Sequence, residues 1–193
     1  MLTPDDRLRL LRLARCVLES RVRGIPTPAS ENDASQIGTA SGAFVSIHRQ
    51  GELRGCLGRL EALPLAEVIG DLARSVADSD PRFEVVGPSE LAHIDIEISV
   101  LTPEREIASP ADVAVGRHGL IVERRGRRGL LLPQVATQHG WDRLTFVEHA
   151  CLKAGLPRDA WRYGARLFVF EAQVFGERDT TAIRDGSSDG RTW

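Results

Sequence analysis

The hexapeptide Leu53-Arg54-Gly55-Cys56-Leu57-Gly58 sets a nucleophilic side chain between two glycines in a stretch that otherwise reads as a strand. Glycine weakens a strand interior, so a pair of them marks a bulge or a close approach to the backbone. In an extended chain Arg54 shares a face with Cys56, where a guanidinium favours the thiolate. The residues therefore point to Cys56 as a thiolate nucleophile or acceptor tuned by Arg54. A small buried cysteine at a tight bend is the plainer alternative.

A catalytic cysteine needs a base, and His48 is the nearest in sequence. If Gln50-Gly51 forms a two-residue turn, opposed positions sum to 101, so Cys56 faces Val45 and His48 faces Leu53. Positions 45 and 48 differ by three, which sends His48 to the opposite face from Cys56. A bulge at Gly55 or a longer turn would reverse that parity. His93, His118, His139 and His149 reach Cys56 only by fold-back of the chain. Asp95 and Glu97, two apart on one strand, fit the wet face of a half-covered sheet better than an acid–base pair. No metal-ligand cluster emerges: His139 and His149 are ten apart, and Cys16, Cys56 and Cys151 are scattered. No phosphate loop is present either. The Arg124–Arg128 run reads as a solvated hairpin tip, because 24 of the 25 basic residues are arginine and Lys153 is the only lysine.

The elements that must position these groups are legible in outline. Thr3 caps a first helix with Pro4 at its start and Asp5 and Asp6 in its first turn, and Gly24 and Pro26 stop it. Its apolar stripe is read as Leu8, Leu11, Leu18 and Val22. A connection over 25–41 follows, then a hairpin over 43–60. Leu65, Val68, Ile69, Leu72, Ala73 and Val76 recur at helical spacing up to Asp80-Pro81. Residues 93–101 alternate with Ile94, Ile96, Ile98 and Val100 on one face and Asp95, Glu97 and Ser99 on the other, the pattern of a half-buried strand. Strands at 119–123 and 129–132 flank the arginine tip, Asp142 caps a helix to about Ala154, and 166–175 is a last strand. The pairs are hairpins without a βαβ rhythm, so the fold class is α+β with a mostly antiparallel sheet flanked by helices. The chain reads as one unit over 1–176 with a polar tail over 177–193, frayed in expectation.

Composition narrows the function classes. With 25 basic and 27 acidic residues the 193-residue chain carries a formal charge of −2, which gives no general attraction to nucleic acid or anionic membrane. No apolar run reaches the roughly 18 residues of a membrane span. The arginine-laced N-terminus is not a secretory leader, and three scattered cysteines fit a reducing cytoplasm.

The hexapeptide and its surroundings resemble one family. LRGCLG at 53–58 is similar to the LRGCIG signature of the AMMECR-one domain, and Leu57 replaces the usual isoleucine at equal volume. GAFVSIHRQGELRGCLG (42–58), DPRFEVV (80–86), IDIEISVLTP (94–103), GLIVERRGRRGLLLPQVA (119–136) and GWDRLTFVEHACLKAGLP (140–157) follow in order. The likeness covers roughly 5–176, with the prokaryotic AmmeMemoRadiSam protein A type most similar. It implies a larger and a smaller lobe with a groove at the hexapeptide, walled by Leu53, Gly55, Leu57 and Gly58. It also implies company from a Memo-like protein and a radical-SAM protein, and it brings no settled activity and no cofactor.

Three functions follow as expectations. The first is a partner or component module of a Memo-like/radical-SAM system. The second is an enzyme using Cys56 as nucleophile or acceptor, with Arg54 tuning it and backbone N–H groups near Gly55 and Gly58 holding an anion. The third, a nucleic-acid-associated factor, fits the charge least.

Overall fold

The computed structural model describes residues 2–28 and 34–179, which fall into two compact units: 2–28 and 34–100 with 173–179, and 101–172. In the first unit, α1 (Pro4–Arg23) starts on a reciprocal cap. Thr3 Oγ1 accepts from the Asp6 N–H at 3.1 Å, and the Thr3 N–H donates to Asp6 at 2.9 Å. Gly24 ends it in the left-handed region. The buried face is centred on Leu10, Ala14 and Val17 together with Leu11, Leu13 and Leu18, while Leu8 and Val22 are only half-buried. The expected stripe was thus displaced by part of a turn, because the helix carries apolar residues around more of its circumference than one stripe needs.

β1 (Thr39–Ala40) pairs with β4 (Leu63–Pro64), a short bridge that the sequence did not announce. β2 (Ala43–Arg49) lies between β3 (Glu52–Arg59) and β5 (Ile94–Leu101), antiparallel to both. α2 (Leu65–Ser75) closes on this sheet, and Val45, Ile47, Ile94, Ile96 and Ile98 meet the apolar faces of α1 and α2 in one core. The alternation read over β5 holds for Asp95 and Glu97 but not at its end: Ser99, expected on the wet face, is buried.

The second unit has its own core. β6 (Arg105–Ile107) pairs with β9 (Arg166–Gly176), β9 with β7 (His118–Arg124), and β7 with β8 (Arg127–Leu131), all antiparallel. α3 (Pro133–Gln138) and α4 (Arg143–Lys153) accompany them, with Phe146, Val147, Ala150 and Cys151 of α4 buried against Leu120, Val122, Leu167 and Val169. Asp142 caps α4 as expected, accepting from Thr145 N–H at 2.8 Å. The arginine tip is shorter than read: Arg124 pairs with Arg127, leaving only Arg125-Gly126 as the turn. β6 and α3 were not foreseen, being three and six residues long and too short for a period to register.

The fold class is α+β with antiparallel sheets. β9 starts in the second unit, and its last residues, from Gln173, belong to the first. The first residues of the expected tail are hydrogen-bonded within the first unit. Arg15 donates from Nε to Glu177 at 2.8 Å, the Ile96 N–H donates to Glu177 at 2.8 Å, and Arg178 donates to Asp95 at 2.7 Å. The remainder of the expected tail, 180–193, lies outside the described residues. No helix among the described residues is long and apolar enough to cross a membrane.

Candidate functional site at the LRGCLG strand

The hairpin that carries the hexapeptide turns at Gln50-Gly51, both at positive φ, as a two-residue type I′ turn requires. Arg49 pairs with Glu52 and His48 with Leu53, the predicted sum of 101. The ladder then slips: Ile47 pairs with Gly55 and Ser46 with Cys56, leaving Arg54 as an extra, unpaired residue. This is a β-bulge. It reverses the expected parity, so Cys56 lies across from Ser46 rather than Val45, and it shares the face of β2 that carries Ser46 and His48. The bulge falls one residue before Gly55, where the sequence had allowed for it.

β3 has β2 on one side only. At Cys56 its other edge is closed by side chains from the loop after α2. The Cys56 N–H donates to Asp80 at 2.9 Å, and Arg82 donates to the Cys56 carbonyl at 3.1 Å. Together they make the two hydrogen bonds that a neighbouring strand would make, which blocks pairing with another chain at this point. Arg82 also donates from Nε and Nη2 to Asp80 at 2.9 and 2.7 Å. The Asp80 side chain is 3% exposed and that of Arg82 56%. The Arg82 hydrogen bonds, helped by the Cys56 and Arg82 amides, hold the Asp80 carboxyl far below the ordinary aspartate range against the opposing effect of burial. Arg82 is raised in turn, chiefly by its bond to Asp80, with Cys56 among the smaller electrostatic contributions.

Arg54 goes elsewhere. Released by the bulge, its guanidinium grips Glu90 at 3.0 and 3.1 Å and donates to the Glu84 carbonyl at 2.8 Å. Glu90 also accepts from the Gly87 N–H at 3.0 Å and pairs with Arg49 at 3.3 Å. The Arg54 bond first, then the Gly87 amide and the Arg54 and Arg49 charges, lower the Glu90 carboxyl despite its burial. The guanidinium bonded to Cys56, through its carbonyl, is thus Arg82, where the sequence pointed to Arg54. Arg49, Arg54, Arg82, Phe83, Glu84 and Glu90 line a shallow depression of about 380 Å³. Of the expected groove residues, Leu53, Gly55, Leu57 and Gly58 do not line it.

The two glycines answer to the protein's own packing. A Cβ at Gly55 would stand 3.1 Å from both Ile47 and Val76, on the core side of the sheet. One at Gly58 would run into the ring of Phe44, its cross-strand partner. Leu57 packs on the core as well. Leu53 is 43% exposed, and Val85 in the loop 67%.

Sequence reasoning missed Asp80, Arg82, Glu90 and Ser46. A signal for the first two exists in Asp80-Pro81-Arg82. Proline keeps Asp80 out of the helical region, and the Arg82 N–H donates to Asp80 Oδ1 at 3.2 Å, the turn that an aspartate makes with its own backbone. The other histidines are engaged elsewhere or unpaired with Cys56. His118 Nδ1 accepts from the Ala114 N–H, and His139 and His149 stack on either side of Trp141. No group of three or more His, Cys, Asp or Glu among the described residues is placed to hold a metal ion.

Comparison with known proteins places the chain in a family and agrees with the fold. The AMMECR1 family model matches residues 11–175. A protein of Methanothermobacter thermautotrophicus is 43% identical over 91% of this chain and 96% of its own length. Protein MK0488 of Methanopyrus kandleri is 41% identical over 92% and 91%. The crystal structure of uncharacterized protein PH0010 from Pyrococcus horikoshii, 37% identical, superposes with a TM-score of 0.75 over 87% of this chain and 89% of that one. The chain belongs to the AMMECR1 family.

Proposed function

We propose that the chain is a partner or component module that docks on a Memo-like or radical-SAM protein through the surface beside the LRGCLG strand. The observation that carries this reading is how the polar groups there are used. Arg54 is spent on Glu90, and the Cys56 backbone is spent on Asp80 and Arg82. What faces outward is a shallow depression lined by Phe83, Glu84 and the largely exposed Arg82 side chain, with the exposed Val85 next in the chain after Glu84. Enzyme pockets enclose most of their ligand, whereas a pre-formed open surface with an apolar residue and an arginine at its rim suits a protein partner. Mixing the full chain with each purified neighbour, substrates present, and following co-elution tests the idea. Binding to one of them is expected, and Val85→Asp weakens it at least about tenfold. Failure to bind either protein overturns the reading.

A second reading has its own observation. The bulge at Arg54 turns Cys56 onto the face of Ser46 and His48, where a half-exposed thiol is open to attack an electrophile. Here Cys56 is the nucleophile and Arg82 the nearby cation. Alkylation of native protein with neutral iodoacetamide tests it: Cys56 is modified while Cys151, buried in α4, is spared. If Cys56 reacts only on unfolding, this reading fails.

A further inference from the structure

We infer that the second unit carries a cavity for a small neutral molecule with an apolar body and one carbonyl acceptor, between the end of β6 and the start of β9. The site is independent of the surface beside the LRGCLG strand. The β6–β9 ladder ends at Ile107–Leu167. Beyond that pair the two segments part. One enters the short 3-10 turn Pro110–Asp112, and the other arrives from the 3-10 turn Ala160–Arg162 by way of Gly164 at positive φ. Between them lies a cavity of about 400 Å³ lined by residues of both, the size of sites that hold small ligands. Ile107, Pro110, Leu167 and Trp161 make most of its wall apolar.

The polar groups decide what fits. The lining charges are Glu106 and Arg166, and they are matched to each other. Arg166 donates from Nε and Nη2 to the two oxygens of Glu106 at 3.0 and 2.8 Å, and it has Glu123 at 3.7 Å besides. The bond to Arg166 holds the Glu106 carboxyl below the ordinary glutamate range. What is left over is neutral and donating. Trp161 Nε1 is buried and bonded to no protein atom among the described residues. Ser109 Oγ accepts from the Ala111 N–H at 3.1 Å, and its O–H goes to no described residue. An indole N–H can only donate, and a buried polar atom without a partner is costly. A ligand carbonyl supplies the acceptor these donors lack. A carboxylate would shed its hydration beside an ion pair that is already balanced, and an ammonium would find no free carboxylate.

The test titrates the full chain with four probes of similar size, followed by saturation-transfer NMR of the probe: acetophenone, toluene, benzoate and benzylammonium. Acetophenone is expected to bind in the millimolar range. It should bind about fivefold tighter than toluene, although it is the less apolar of the two, and about tenfold tighter than either ion. Ala108 lines the cavity from an exposed position, so Ala108→Trp fills the space and abolishes the binding of acetophenone and toluene alike. Trp161→Phe keeps a ring in the wall and removes its N–H, and Ser109→Ala removes the O–H. At least one of the two brings acetophenone down to toluene while toluene itself is unmoved. On the wild-type chain, no binding of acetophenone, a flat series or a preference for either ion overturns the inference without any variant. So does undiminished binding in a folded Ala108→Trp chain, or an acetophenone advantage that survives both Trp161→Phe and Ser109→Ala.

Discussion

The two hairpins of this chain share a turn and differ in one residue of strand. β2–β3 turns at Gln50-Gly51 and β7–β8 at Arg125-Gly126, and all four residues have positive φ. In β7–β8 every pair from Arg124–Arg127 to Leu120–Leu131 sums to 251, so the turn fixes the faces of the whole hairpin. In β2–β3 the count slips at Arg54, and everything beyond it changes face relative to the turn. The turn alone therefore dictates register only until the packing overrules it. On the far side of the bulge the core accepts Gly55 against Val76, and the bulged Arg54 finds Glu90. Without the bulge Cys56 would face Val45, a core position, and the thiol would be sealed.

The largest break in this comparison comes from the regular hairpin. A Cβ at Gly129 of β8 would strike the backbone of Ala154, which cannot swing aside, whereas one at Gly58 of β3 meets only the Phe44 ring. Gly129→Ala is expected to cost about 3 kcal/mol and Gly58→Ala about 1–2, read as melting-temperature losses of roughly 2–4 °C per kcal/mol for a chain of this length. A larger loss at Gly58 would mean that Phe44 is fixed as firmly as backbone.

Next in size is Asp80, which has no counterpart in the other hairpin. Asp80→Asn keeps the shape but removes the charge that Arg82 and two amides hold, at a cost of about 2–3 kcal/mol near neutral pH. The folded-state carboxyl is depressed, so its contribution is fully present above the ordinary aspartate value of 3.8 and is lost as pH falls through the lower folded value. Urea titrations from pH 7 to pH 2 are expected to show wild type and Asp80→Asn converging in acid. A constant gap at every pH would mean that the ionised form is not what holds the edge of β3.

How much of this was legible depended on whether a neighbour or a period decided it. Thr3 with Asp6, Asp142 with Thr145, the x-Gly turns and the isoleucines of β5 act over a few residues, and each left its mark in the sequence. Hairpins without a βαβ rhythm supplied the fold class, the family likeness pointed the same way, and the structure bears it out. The bulge was not legible, because it is settled by Val76 and Glu90, 21 and 36 residues away from Gly55 and Arg54. For the same reason Arg54 drew attention as a partner for Cys56, while Arg82, 26 residues from Cys56, went unnoticed.

Deleting Arg54 is a milder probe with a sharper meaning. Leu53 would remain across from His48, Gly55 from Ile47 and Cys56 from Ser46, now in a regular ladder. The expected loss is about 1–2 kcal/mol, that of a charged hydrogen-bond partner for Glu90, while Cys56 keeps its native alkylation rate. If the rate instead fell to that of Cys151, whose thiol burial pushes upward, the Arg54–Glu90 pair and not the register would be what keeps the thiol accessible.

The smallest effect compares the turns themselves. Gln50 and Arg125 hold positive φ without glycine's freedom, a conformation that asparagine tolerates better. Gln50→Asn and Arg125→Asn should each stabilise by about 0.5 kcal/mol. If the bulge strained the first hairpin back to its turn, the two gains would differ, because part of the Gln50 strain would belong to the ladder and survive the substitution. Equal gains, measured by urea unfolding with unchanged m-values, place the irregularity at Arg54 and leave the turns equivalent. In that case the face on which the thiol sits is decided at Arg54, past the turn, by where the core and Glu90 pull the strand.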